Sequence, residues 1–381
     1  MSAAGAAVGS AEATAVRSAP EIVVTGVGLA LPGAAHPAEL LRATPVGTDT
    51  YDTTAVIGRR GHRYKDRATR LALCAAVGGL RDAGLIPADG EELAVPGGTV
   101  GVVASSNLGN LDTVCRTAAA IGEQGVTAIS PMDLPNASGN VVASTVAIRF
   151  GLRGPNTLLC NGPASGLDAV HWGANLVAAG RIRHALVIGV ETRNDIVQEL
   201  TGHGADELLD GAVALVLESA GAARERGAVP AAVLGAYERR AGLRACVDAL
   251  LAEGGGGGES PGIWFTPERY ESAGGGRVGG GDRVSGGGPA PGVGPAPGDG
   301  PVPETGRATG PAPVPDTVPR HDVSRAFGRS SGALGVLQCA AATAWMTAAE
   351  ARGARGRALI TAGDDAADGV AGLWLHPYGA S

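Results

Sequence analysis

The stretch Gly154-Pro155-Asn156-Thr157-Leu158-Leu159-Cys160-Asn161-Gly162-Pro163-Ala164-Ser165-Gly166-Leu167-Asp168-Ala169 constrains the rest of the chain most. It reads as a buried strand, Leu158 to Cys160, turned by Asn161-Gly162 into a buried helix. Pro163 falls at the first helical position, where its missing N–H would have had no intrahelical acceptor. The helix that follows is small on nearly every side, with Ala164, Ser165, Gly166, Ala169, Gly173, Ala174, Ala178 and Ala179 around Leu167, Val170 and Val177. A helix this slim fits between two closely spaced layers. Gly180 stops it, and Arg181 and Arg183 suit the negative end of its dipole.

Composition points the same way. The 381 residues are 44% hydrophobic but only 3% aromatic, so a large core must be built from Ala, Val, Leu and Gly in tight layers. A formal charge of −7 offers no basic footprint for nucleic acid. The five cysteines, Cys74, Cys115, Cys160, Cys246 and Cys339, show no CxxC pair and an odd count, the pattern of a reduced, cytoplasmic protein with buried thiols. Residues 1–20 lack a basic region and a strong apolar stretch and read as a disordered tail. No apolar run approaches the ~20 residues of a membrane span.

Along the chain, Glu21 to Gly28 is a β-branched strand. Gly26 and Gly28 lack the third glycine that a dinucleotide-binding loop would need. Arg63 to Ala68 forms a charged, solvated entry to a helix carrying Leu73, Val77 and Leu80 on one face, with Gly84 after its end. Further strands are expected at Thr99 to Ser106, Ala185 to Glu191, Leu208 to Glu218 and Ala231 to Tyr237, the continuous apolar ones covered on both faces. Gly254 to Gly258 is pure glycine, and residues 272–319 are a Gly/Pro-rich insert that reads as disordered. Between them Gly262 to Pro267 is a strand island. Ala326 to Val336 opens a capped helix with Leu334, Leu337, Ala341 and Trp345 on one face, and Arg357 to Thr361 and Gly369 to Leu375 form a last strand pair.

The Gly154-Pro155 frame followed by a turn and helix resembles the nucleophile turn of β-ketoacyl synthases, in which Pro163 occupies the place of the acyl-accepting cysteine. Ala164-Ser165-Gly166-Leu167-Asp168-Ala169 is similar to chain-length factors, the cysteine-less ketosynthase-like subunits of type II polyketide synthases; those commonly carry glutamine where this chain has proline. The resemblance covers Ile22 to Tyr237 and Phe327 to Met346. It implies a thiolase-like α/β fold of two related αβαβα halves in five layers, with residues 21–237 as the first half and 238–381 as a reduced second half. It also implies that Asn107, Asn110, Leu111, Val114, Cys115 and Asn136 lie at a dimer interface and tunnel; ordinary core packing is the alternative for this segment.

A ketosynthase needs a thiolate, two histidines and two backbone donors for an oxyanion. Pro163 removes the thiol and an N–H. Arg329 in Gly328-Arg329-Ser330-Ser331-Gly332-Ala333 stands where the family has one histidine, Trp264-Phe265-Thr266-Pro267 lacks the other, and Thr361-Ala362-Gly363-Asp364-Asp365 replaces the Phe-Gly-Gly turn. The resemblance therefore implies a non-catalytic chain-length factor without cofactor of its own. Its partners would be an active ketosynthase, as a heterodimer, and an acyl carrier protein whose phosphopantetheine thioester the complex receives. The alternatives are a divergent synthase or acyltransferase using Cys160, and a structural pseudoenzyme that docks the carrier protein. Cys160 is expected to be packed in its strand. His36, His62, His171, His184, His203, His321 and His376 have no metal spacing, and His171, Asp168 and Arg149 read as structural partners.

Overall fold

The computed structural model describes residues 19–62, 64–131, 134–253, 260–270, 313–351, 353, 356–363 and 369–379. The expected tail up to residue 18, Arg63, the glycine run 254–258, the insert from 272 to 312, and Asp364 and Asp365 lie outside them.

The first half runs β1 (Ile22–Ala30), α1 (Thr54–Ile57), α2 (Arg67–Asp82), β2 (Val100–Ser105), α3 (Leu111–Gln124), α4 (Val141–Phe150), β3 (Asn156–Leu159), α5 (Ser165–Ala178), β4 (His184–Glu191), α6 (Asp195–Thr201), β5 (Gly211–Ser219) and α7 (Ala220–Glu225). The second runs β6 (Ala232–Arg240), α8 (Leu243–Glu253), β7 (Ile263–Phe265), β8 (Arg320–His321), α9 (Ser324–Phe327), α10 (Leu334–Glu350), β9 (Ala358–Ala362) and β10 (Val370–His376).

The strands lie in the order β3-β2-β4-β5-β1-β6-β10-β9-β7-β8. Each half repeats one plan: β1–β5 and β5–β4 are antiparallel while β4–β2 and β2–β3 are parallel. In the second half β6–β10 and β10–β9 are antiparallel and β9–β7 and β7–β8 parallel. Within the sheet β1 and β6 join the halves, Val23 opposite Val233 and Val24 opposite Ala232. Helices α2 and α4 cover the outer face of the first half and α8 that of the second; α5 and α10 lie against each other inside, each packed on strands of both halves. This is the five-layer thiolase-like fold.

Close approach explains the small residues. A Cβ on Gly28 would meet the Ala75 carbonyl at 2.0 Å, so the β1 glycines let α2 lie directly on the strand and have nothing to do with phosphate. A Cβ on Gly166 would meet the Gly335 nitrogen at 2.6 Å, which is where α5 and α10 cross. Leu73, Val77 and Leu80 are buried as expected, and so are Leu71, Ala72, Ala75 and Ala76, because α2 is enclosed by both the sheet and α4.

Three expectations need correction. The entry to α2 is not a solvated face: Asp66 caps Thr69 N at 2.8 Å, and Arg67 Nε reaches both oxygens of buried Asp210 at 2.7 and 2.9 Å. The helix after Phe327 has no side-chain cap; a 3-10 turn, Ser331–Ala333, leads into α10. The expected insert ends earlier than residue 319, because Val314 and Val318 are buried with Trp264, Leu359 and Trp374 beneath α8. Helix α10 and the turn before it are long and apolar enough to cross a membrane, but 83% of that stretch is buried inside this fold, which accounts for its apolarity.

Candidate active site

The parallel strands β3, β2 and β4 end on one side of the sheet, where open α/β sheets place their ligands. The loops leaving β2 and β3 carry Asn107 and Asn161-Gly162-Pro163, β4 ends at Glu191, and the second half brings Glu268 and Arg329 to Gly332 against them. Proline does not start α5 itself: Gly162–Ala164 is a 3-10 turn and the helix begins at Ser165.

Two polar groups, half-buried Asn107 and buried Glu191, knit this junction. Asn107 donates from Nδ2 to the Gly162 carbonyl at 2.9 Å and to Ser331 Oγ at 2.8 Å, while its Oδ1 accepts from Ser165 Oγ at 3.1 Å. Asn107 thus ties the turn holding Pro163 to the segment holding Arg329. Glu191, at the end of β4, accepts from the backbone N–H groups of Asn107 at 2.6 Å, Leu108 at 3.0 Å and Gly332 at 3.1 Å. Burial outweighs those hydrogen bonds and raises its pKa to about 7. Glu268 likewise accepts from the backbone of Ser330 and, at 2.8 Å, Ser331; burial raises its pKa. Ser331 sits at φ 40°, a left-handed position for a side-chain-bearing residue, held by these contacts on either side.

Beside the junction lies a cavity of about 320 Å³ lined by Leu108, Glu191, Val197, Leu208, Glu268 and Arg329, among others. Pro163 is not among its lining residues. A second, polar hollow of about 260 Å³ opens over α5 near Asn161, Trp172 and Tyr237. There Asp168 accepts from Asn161 Nδ2 at 2.6 Å, from the Tyr237 hydroxyl and from Arg239, and His171 stacks on Tyr237 at 4.0 Å. Asp168 and His171 are structural partners, as is Arg149, which pairs with Glu91 at 2.6 Å.

The segment after β2 is helical from Leu111, and the Val114 N–H bonds to the Asn110 carbonyl at 3.2 Å, so these two residues are one turn apart as expected. Their surroundings differ. Asn110 donates to the carbonyls of Asn136 and Ser138, each at 3.0 Å, whereas Val114 is 37% exposed. Asn136 is buried and donates to the Tyr64 carbonyl. Leu111 and Cys115 are half-buried, and α3 as a whole buries no residue.

Cys160 contradicts its expected packing. It follows β3, is exposed, and its Sγ lies 4.0 Å from the Asn107 carbonyl. The strand ends at Leu159, so Cys160 lies one residue beyond the stretch that α4 and α5 pack against. Partial desolvation, then the nearby Glu191 carboxylate, push the thiol pKa up. Cys74, Cys246 and Cys339 are the buried thiols; Cys115 is half-buried. Thr361 is buried, accepting from Trp264 Nε1 at 2.9 Å, which makes the end of β9 a packing joint. Glu191 and Glu268 escaped the sequence reading; for Glu191 the available signal was a charge closing an otherwise apolar strand.

Residues 48–200 match the family model described as β-ketoacyl synthase, N-terminal domain. The 3-oxoacyl-[acyl-carrier-protein] synthase 2 of Vibrio harveyi is 28% identical over 201 residues, 47% of this chain and 47% of that protein. The tetracenomycin polyketide synthase ketoacyl synthase beta subunit of Streptomyces glaucescens is 27% identical over 197 residues, 46% of this chain and 47% of that one. The chain thus spans about half the length of the curated relatives it matches. Among solved structures, the ishigamide ketosynthase/chain length factor superposes with a TM-score of 0.66 at 23% identity, covering 94% of this chain and 100% of that one. The fold is the thiolase-like fold of ketosynthases.

Proposed function

We propose that this chain is a non-catalytic, chain-length-factor-like subunit that pairs with a cysteine-bearing ketosynthase in type II polyketide or polyene synthesis and bounds the tunnel holding the growing chain. The observation that carries this reading is that Asn107 ties the turn holding Pro163 to the segment holding Arg329, so the two residues that the resemblance aligns with a thiol and an imidazole share one junction. Proline offers neither nucleophile nor N–H donor, and one lost oxyanion donor alone costs about 10²–10³ in rate. An uncovered surface supports the pairing. Helix α3 buries none of its residues, Val114, Ile121, Val126 and Leu134 are exposed around it, and among the described residues β3 is an unpaired sheet edge. Exposed apolar residues beside an open edge fit a partner chain.

In this reading the partner supplies the thiolate, and an acyl carrier protein delivers the thioester on its phosphopantetheine arm; this chain contributes walls. Co-expression with a cysteine-bearing type II ketosynthase, followed by light scattering on the purified material, tests it: a one-to-one complex is expected. Only separate species, or elongation by this chain alone with a carrier protein, would overturn the proposal. The exposed position of Cys160 favours a second reading, an acyltransferase using that thiol. Intact-mass spectrometry with acyl thioesters distinguishes the two, since an acyl adduct on Cys160 is expected only for the second.

A further inference from the structure

The polar hollow of about 260 Å³ over α5 shares no lining residue with the cavity beside Arg329. Its floor is fixed. Asp168, buried, accepts from Asn161 Nδ2 at 2.6 Å, from the Tyr237 hydroxyl and from Arg239 Nη1, which occupies both carboxylate oxygens and sets one full charge against the other. The Tyr237 ring stacks on His171, centroids 4.0 Å apart and planes 14° from parallel. Asn175 Nδ2 donates to His171 Nε2 at 2.9 Å, and burial lowers the His171 pKa, which leaves that ring neutral near pH 7. The rim is what this network leaves open. Trp172 is 53% exposed on the solvent side of α5. Among the described residues its indole N–H has no partner, the side-chain oxygens of Asn161 and Asn175 accept nothing, and Arg239 uses only Nη1 of its donors.

These open groups select the chemistry of a ligand. An anion gains little, because the Arg239 charge is already matched by Asp168, and a cation finds both Asp168 oxygens taken. A purely apolar molecule would strand the amides and the guanidinium against hydrocarbon. What fits is a neutral group that donates and accepts at several points and has one apolar face for the indole. We propose that this hollow binds a single neutral sugar ring, its C–H face laid on Trp172 and its hydroxyls shared among Asn161, Asn175 and Arg239. Ring hydroxyls can donate to the two amide oxygens while accepting from the guanidinium. The exposed indole supplies a large, rigid contact area, and a volume below that of drug-sized pockets limits the ligand to one ring. Because the Asp168 network holds the floor in place before binding, little ordering is left to offset affinity. The inference stands on this chain's own hollow and does not depend on its pairing with a ketosynthase.

The test is saturation-transfer NMR on the full-length chain with the methyl glycosides of glucose, galactose and mannose at millimolar concentration. Tetrahydropyran, a ring without hydroxyls, and adenosine, a planar aromatic, serve as comparisons. At least one glycoside should receive saturation, strongest on its ring C–H protons, while tetrahydropyran receives none. The affinity for that glycoside should fall at least tenfold in Trp172→Ala and in part in Trp172→Phe, and Asn175→Leu should weaken it as well. No transfer to any of the three glycosides, equal transfer to tetrahydropyran, or unchanged affinity in Trp172→Ala would each overturn the proposal. Binding of adenosine alone would reassign the hollow to an aromatic base, and a tenfold preference for a sugar phosphate over the neutral sugar would make it an anion site; either result overturns it too. Should Trp172→Ala fail to fold, as circular dichroism would report, the wild-type comparison of glycosides with tetrahydropyran and adenosine still decides.

Discussion

At the scale of single residues, two buried carboxylates give opposite pH signatures. Glu218, at the end of β5, is buried. Burial alone would raise its pKa, but the His184 ring 3.5 Å away, the Arg226 guanidinium and the Thr25 hydroxyl hold it at about 2. Its folded pKa lies below the ordinary 4.5, so its stabilisation is present above about 4.5 and fades as pH falls towards 2. Arg226→Ala should cost about 3–5 kcal/mol at pH 7 by stranding that charge, and urea unfolding should show the deficit shrinking between pH 4.5 and 3. Glu191 has the reverse sign: its folded pKa of about 7 lies above the ordinary 4.5, so its contribution is full below 4.5 and lost as pH rises through 7. Melting temperatures of wild type and Glu191→Gln should therefore converge as pH rises from 5 to 8; a constant gap would show that Glu191 does not titrate there. Pro163 and Arg329 were legible as letters, whereas Glu191 and Glu268 were not, because their importance comes from backbone N–H groups distant in sequence, those of Asn107, Leu108 and Gly332 for Glu191 and those of Ser330 and Ser331 for Glu268, which converge only once the chain has folded.

At the scale of elements, the strands and the slim helix α5 were readable because continuous apolar runs and glycine punctuation are local signals. Exposure at the strand's end was not: Cys160 lies one residue past β3, and an apolar run does not mark the residue at which its strand stops. Crossing helices give a direct test of the layer spacing. A Cβ on Gly335 would lie 2.3 Å from the Leu167 nitrogen, a backbone atom that cannot swing aside. Gly335→Val should cost about 1–3 kcal/mol or more through overpacking, seen as a lower urea midpoint; an unchanged midpoint would mean that α5 and α10 are not in contact. Helix α3 carries the test of length control. Asn110 anchors Asn136 and Ser138, so enlarging it disturbs the fold as well as any tunnel, and Val114 is the cleaner position. If α3 lines a shared tunnel, Val114→Phe in an intact reconstituted pair should shorten the product, read by mass spectrometry. Unchanged length from intact pairs would remove the tunnel-shaping role for this segment and leave only the structural one.

At the scale of the whole molecule, the two halves repeat one strand plan but differ in how they are covered. Helices α2 and α4 roof the first sheet half, while in the second α8 shares that task with Val314, Val318 and Tyr270. Those residues flank a Gly/Pro-rich stretch, residues 272–312, with few side chains suited to a core. Composition alone set the limit of that stretch at Pro319; the burial of Val314 and Val318 moves it to about 312, because two valines in a proline-rich context carry no periodic signal. Two deletions separate these boundaries. Replacing 272–312 by a short Gly/Ser linker should leave the melting temperature nearly unchanged. Extending the deletion through Pro319 removes the buried valines, uncovers Trp264 and Trp374, and takes away the Pro319 carbonyl that accepts the Trp264 N–H at 2.9 Å. At about 1.5–3 kcal/mol per fully buried valine, that loss should appear as a marked drop in melting temperature and a red shift of tryptophan fluorescence. Equal melting temperatures for both deletions would show that 313–319 contributes nothing to the second half's core.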